Sequence, residues 1–205
     1  MGPAKGRGYC VVIFTMTPFA IDMNYGRACN EFMGLLPDDG WGCIIDHDAM
    51  FTTRAWFRQI EEAIDFRPDA GAFTAVSNRI ARRWQQAGNK DSHDIVQHRR
   101  FGAARLKTRT LLDITNTHGF GGVVIVISKK AWRQVGGFVD GMLCVDHRMH
   151  FALREAGRRV WLIEGLFVYH WRRAQGDGPP ANAPRAAGCP CRGTESMPTV
   201  RVALP

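Results

Sequence analysis

The chain has 205 residues, 45% of them hydrophobic and 22% charged, with a formal net charge of +8. That length fits one domain with a real core, and the composition excludes a disordered or fibrous chain. No apolar run approaches the roughly 18 residues that signal a membrane-spanning helix, and no RNP-type aromatic strand, Cys/His finger or clear helix-turn-helix marks a nucleic-acid module.

The positive charge is read in two ways: a solvated basic surface, or attraction to anions such as a sugar nucleotide or an acidic membrane face. Residues 1–8 are basic and glycine-rich, and read as a flexible N-terminus. The short apolar run behind them has no small-residue cleavage site, so a signal peptide is not expected. Of the six cysteines, Cys10, Cys29, Cys43 and Cys144 fall inside apolar patterns, where a free thiol behaves as a small hydrophobe. A reduced, cytoplasmic setting is expected, with peripheral contact at the inner membrane face as a further option.

Tyr9 to Phe14 predicts a buried strand that exits through Thr15, Thr17 and Pro18. Ala28, Phe32, Leu35 and Leu36 then recur at helical spacing, with Asp22 or Asn24 as cap and Pro37 to Gly40 as stop. Trp41 to Met50 organises the chain: the apolar run Cys43-Ile44-Ile45 ends abruptly in Asp46-His47-Asp48. Ligands of open α/β sheets bind at the carboxyl ends of such strands. In extended chain the two acids point to one side, and paired hard oxygens suit Mg²⁺ or Mn²⁺. The alternative is a solvated turn in which Asp46 caps the next segment.

Thr52 or Thr53 is expected to cap a helix whose inward face is Trp56, Phe57, Ile60, Ala63 and Ile64, and Ala72 to Val76 reads as a strand. Asn78 to Arg109 is strongly basic and irregular, with a helix around Asp94 to Leu106; it is either a solvated face or a binding surface. Val123 to Ile127 predicts a further strand, preceded by Gly121 and Gly122 and followed by a short helix capped by Ser128. Asp146 stands as N-cap of a helix that Gly157 ends. Val160 to Ile163 and Phe167 to Trp171 read as two extended pieces. Residues 174–205 are rich in Pro, Gly and Ala and read as a disordered tail, in which Cys189 and Cys191 are too few for a zinc site.

Four blocks, in order, resemble a GT-A fold glycosyltransferase of the family 2-like type: D-H-D at Asp46, G-F-G-G-V-V-I-V-I-S-K-K-A-W-R-Q-V-G-G-F-V-D from Gly119, V-D-H-R-M-H-F-A-L-R-E-A-G-R-R-V from Val145, and Y-H-W from Tyr169. The likeness covers residues 9–173. It implies an α/β, mixed but mostly parallel sheet flanked by helices, and a metal-dependent transfer of a sugar from a nucleotide-diphosphate donor to an acceptor hydroxyl on a glycan, lipid carrier or surface polymer.

By the same resemblance, Asp46, Asp48 and His170 hold Mn²⁺ or Mg²⁺, Asp146 is the general base, and Thr15, Thr17, Pro18, Asp46, Gly121 and Gly122 line the nucleotide-sugar site. The chain departs from the pattern in having a single βα unit before Asp46, Val145 where the family has Glu, and a bulky His47 between the acids. It reads as a short variant. Two other readings use the same residues: a non-catalytic GT-A-like binding domain, and a metal-dependent nucleotide-sugar phosphohydrolase.

Overall fold

The computed structural model describes residues 11–171 and 197–205. Within them a mixed eight-stranded sheet is flanked by helices on both faces. The elements are β1 (Ile13–Met16), α1 (Tyr25–Leu35), β2 (Trp41–Ile45), β3 (Ala49–Phe51), α2 (Trp56–Phe66), β4 (Ala72–Ser77), a 3₁₀ turn (Arg83–Gln85), α3 (Ile95–Arg105), β5 (Thr110–Asp113), β6 (Val124–Ser128), α4 (Lys129–Gln134), α5 (Val145–Glu155), β7 (Val160–His170) and β8 (Val200–Ala203). No helix among the described residues is long and apolar enough to cross a membrane.

The strand order is β1-β2-β6-β4-β7-β5-β8, and β3 pairs separately with the end of β7. The expectation of a mostly parallel sheet needs correction. Of the ladders, β1–β2 and β4–β7 are parallel, while β2–β6, β4–β6, β5–β7, β5–β8 and β3–β7 are antiparallel. The cause is β6, which enters from the Gly-rich loop and runs against both neighbours. Even so, β1, β2, β4 and β7 share one direction, so their carboxyl ends lie along one edge of the sheet.

Alternation along the strands makes two cores. Ile44, Ile125, Ile127 and Leu162 meet Cys29 and Met33 of α1, Ala131 of α4, and Met149 and Leu153 of α5. Cys43, Val124, Val126 and Ile163 face the other way, onto Ile60, Ala63 and Ile64 of α2. Burial pushes the thiols of Cys29 and Cys43 up to about 12, so both act as apolar filling.

Caps explain most helix starts. Asn24 accepts from the Arg27 amide, Asp94 from those of Val96 and Gln97, and Ser128 from that of Ala131. Two expected caps are corrected. The N-cap of α2 is Ala55, because the Thr52 hydroxyl instead donates to the Phe167 carbonyl at 2.9 Å. Asp146 lies in the first turn of α5 rather than before it, because Cys144 turns left-handed (φ 68°) and starts the helix earlier. The expectation of a disordered tail is also corrected at its end, where Val200–Ala203 adds to β5 as an edge strand. The rest of that tail, with Cys189 and Cys191, and the N-terminal residues 1–10 lie outside the described residues.

α1 gives a stability prediction through its two glycines. The α-carbon of Gly26 packs against the backbone of Val139, so an added Cβ would overlap the Val139 carbonyl, whereas nothing lies near Gly34. Gly26→Ala is expected to lower stability by about 2–3 kcal/mol, since backbone cannot move aside as a side chain can. Gly34→Ala is expected to raise it by about 0.5–1 kcal/mol through helix propensity. Urea midpoints of the two variants read this directly, and equal effects of one sign would show that α1 does not dock in this way.

Candidate metal centre

β2 carries the apolar run to Ile45, and the chain then reverses. The Asp46 amide donates to Val123 O at 3.1 Å and the Ala49 amide to Asp46 O at 3.1 Å, so 46–49 form a tight turn into β3. The two acids thus reach one side through a turn and not through extended alternation. His47 at its tip is exposed and stands outside the cluster.

β3 then pairs with β7, setting Ala49 opposite His170, and the Trp171 amide donates to Asp48 O at 2.8 Å. This register brings the imidazole to the acids. His170 Nε2 lies 3.2 Å from Asp48 Oδ1 and 3.9 Å from Asp46 Oδ2. One ligand atom from each residue falls within 4.8 Å of the others, a grouping that could hold a metal ion. The carboxylates keep 30% and 28% of their side-chain surface exposed and His170 keeps 11%, so an ion can enter from solvent while the ring stays fixed.

His170 is aimed by β4. Its Nδ1 lies 2.7 Å from the Arg79 carbonyl, which can only accept, so Nδ1 carries the proton and Nε2 is turned toward the acids. Its backbone amide donates to Asn78 Oδ1 at 2.8 Å. The Arg79 guanidinium, itself buried, donates to the carbonyls of Trp171 and Ser92 and lies against His93, which meets the Tyr169 hydroxyl at 2.8 Å. Asn78 and Arg79 were not among the residues singled out from sequence. The available signal was positional: like Asp46 and Asp48, they are polar residues that follow an apolar strand directly.

The charges interlock. Burial, opposed by the His170 cation and joined by the Asp48 and Asp146 charges, raises the Asp46 carboxyl to about 7. The hydrogen bond from His170 holds Asp48 below the usual carboxylate range. His170 itself is raised: burial works against its charged form, but the bonds to Asp48 and the Arg79 carbonyl outweigh it.

Asp146 approaches the cluster from α5. Its Oδ2 accepts from the Gly122 amide and its Oδ1 from the His147 amide, each at 2.8 Å, so the carboxylate is held in one orientation. A Cβ on Gly122 would press on Asp146, and one on Gly121 would strike the Ile80 side chain. These two glycines therefore allow close protein packing behind Asp146. Gly121 also exchanges two backbone bonds with the Gln85 side chain.

Thr15 and Thr17 are exposed and Pro18 is buried at the exit of β1, beside the exit of β2. Tyr25, absent from the sequence-based candidates, puts a buried hydroxyl near both Asp46 and Asp146, and those charges join burial in raising it well above the ordinary phenol value. Its position in a helix gave no sign of this in the sequence.

Compared with family models, curated proteins and solved structures, this chain matches none.

Proposed function

We propose that this chain is a metal-dependent glycosyltransferase, on a short GT-A-like domain, that moves a sugar from a nucleotide-diphosphate donor to an acceptor hydroxyl of a glycan, a lipid carrier or a surface polymer. One observation carries the reading: Asp46, Asp48 and His170 converge at the carboxyl ends of the strands, with Asp146 close enough to press on Asp46. Hard oxygens plus one imidazole suit Mn²⁺ or Mg²⁺. Asp46, Asp48 and His170 would hold the ion, which when bound neutralises a departing diphosphate as a Lewis acid.

The protein's own part rests on the placement of its groups. Asp146, oriented by two amide donors, takes the proton of the acceptor hydroxyl as that oxygen attacks the sugar carbon. Arg79 and Asn78 keep His170 from swinging away. Thr15, Thr17 and Pro18 flank the acids on the same edge, where the nucleotide would lie.

A thermal-shift panel of UDP-, GDP-, dTDP- and CMP-sugars, each with and without Mn²⁺, tests this. A ligand at about a hundredfold its dissociation constant stabilises by about 2.7 kcal/mol, which for a chain of this length raises the melting point by about 5–10 °C. One donor is expected to do so only with Mn²⁺. No shift with any donor removes the reading. Cleavage of the donor at a rate indifferent to added acceptors replaces it with the phosphohydrolase, which would use the same three ligands.

A further inference from the structure

A concavity lies apart from the residues of the metal centre. A cavity of about 540 Å³ opens between the segment Thr52 to Ala55 and one face of α3. Val96, Arg99, Arg100, Ala103 and Leu106 line it from α3, and Arg54 from the opposite wall. Spacings of three and four residues put the α3 group on a single helix face. The other face, with His98 and Gly102, packs down onto β7.

The walls are set firmly. Gly102 meets Thr52 so closely that an added Cβ would overlap the Thr52 hydroxyl, and that hydroxyl is bonded to Phe167. The cavity is therefore formed before anything enters it.

Its chemistry is one-sided. No acidic residue lines it. Among the described residues, none of the guanidiniums of Arg54, Arg99 and Arg100 has an ion-pair or hydrogen-bond partner, in contrast to Arg27, Arg109, Arg133, Arg159 and Arg201, each of which has a carboxylate. Val96 and Leu106 remain 54% and 37% exposed, an apolar lip left in water beside those cations.

Three unpaired arginines match a phosphate monoester, with two charges and three free oxygens, better than a carboxylate with one charge and two. The apolar lip has no use in holding a bare inorganic ion, and it offers no aromatic platform for the bases of a nucleic acid. Both features are satisfied by a single molecule that joins a phosphate to an apolar stem.

We propose that this cavity binds an amphiphilic phosphate monoester, its phosphate among Arg54, Arg99 and Arg100 and its stem against Val96, Ala103 and Leu106. The site stands independently of the ion cluster and of the transferase reading.

Calorimetric titration of the full chain in EDTA, with octyl phosphate below its micelle concentration, tests this. Saturable one-to-one binding is expected, at least about tenfold tighter than that of inorganic phosphate because the stem leaves water. The double variant Arg99→Gln/Arg100→Gln should weaken octyl phosphate at least about tenfold, and the uncharged polar change Val96→Ser should weaken octyl phosphate more than inorganic phosphate. If the double variant fails to fold, Arg54→Gln is read in its place.

Absence of saturable binding overturns the proposal, as do equal affinities for octyl phosphate and inorganic phosphate, or arginine variants that bind like the parent. So does capture by phosphatidylcholine vesicles carrying phosphatidic acid without binding of monomeric octyl phosphate, which would make the face a membrane surface instead of a pocket.

Discussion

Asp48→Ala is expected to weaken Mn²⁺ binding by at least about a hundredfold and to abolish sugar transfer, with the fold kept. Loss of an indirect supporting contact in a metal site commonly costs about 10–100-fold, and Asp48 is placed to be a direct ligand. It is the acid nearest His170 Nε2, at 3.2 Å, and the one whose carboxyl is held below the usual range. It is thus the ligand most fully ionised near neutrality, whereas Asp46 competes with protons there.

The stability cost should be small. A depressed carboxyl contributes stability above its unfolded value and loses it as pH falls through the folded value. Asp48 keeps 28% of its side-chain surface in water, and solvent screening holds its pairing with His170 to about 1 kcal/mol. Mn²⁺ titration, product formation and a urea curve on the same preparation separate these effects. An alanine variant that binds Mn²⁺ like the parent would remove Asp48 from the centre and, with it, the transferase reading.

How far the sequence could be read depends on what holds each element. β2, β4 and β6 are runs buried on both faces, and their composition alone marks them. α3 and α4 carry their own caps in Asp94 and Ser128. β3, β5 and β8 are three or four residues long and exist because a neighbouring strand receives them, which no local pattern encodes. β7 reads as two pieces because Glu164-Gly165 interrupts its apolar run. In the fold it is one strand, with the register against β4 shifting between Ala75 and Val76. Glu164 is held there by Thr110 and Arg201.

The helical spacing of α1 is right at Phe32 and Leu36, which pack on the core, and wrong at Leu35. Gly26, Cys29 and Met33 are buried while Leu35 is 86% exposed, because the close approach of Gly26 to Val139 fixes the helix rotation. At the candidate site, Asp46 and Asp48 were legible as acids ending an apolar run, and His170 only through the resemblance in the order of the four blocks. Arg79 was hidden among the many cations of the Asn78–Arg109 stretch. Its role depends on a backbone carbonyl, which sequence cannot display.

Metal affinity should climb steeply with pH up to neutrality and level off only above it. Asp46 titrates at about 7, raised by burial and by the neighbouring acids, and His170 is raised by Asp48. An ion needs both groups without their protons, so binding below about pH 7 must displace up to two of them. Well below its titration point each displaced proton makes affinity rise about tenfold per pH unit, so a shift from about pH 5.5 to about pH 7 should strengthen Mn²⁺ binding by about 15-fold for Asp46 alone and up to about 500-fold when His170 must also lose a proton. Asp46→Asn should lower the slope by about one.

The stability signs agree with this. With Asp46 raised in the fold, the ion-free chain loses stability as pH rises from the unfolded carboxyl value through about 7, because the buried carboxylate must then ionise. His170, raised in the fold, contributes stability below its unfolded value and loses it as pH rises through its folded one. Both trends make the ion-free protein weaker toward high pH, where the ion binds best. The melting-point gain from Mn²⁺ should therefore widen steadily from acid to neutral pH. Calorimetry in two buffers of different ionisation enthalpy counts the protons released. A gain that stays constant across that range would mean that Asp46 and His170 do not hold the ion.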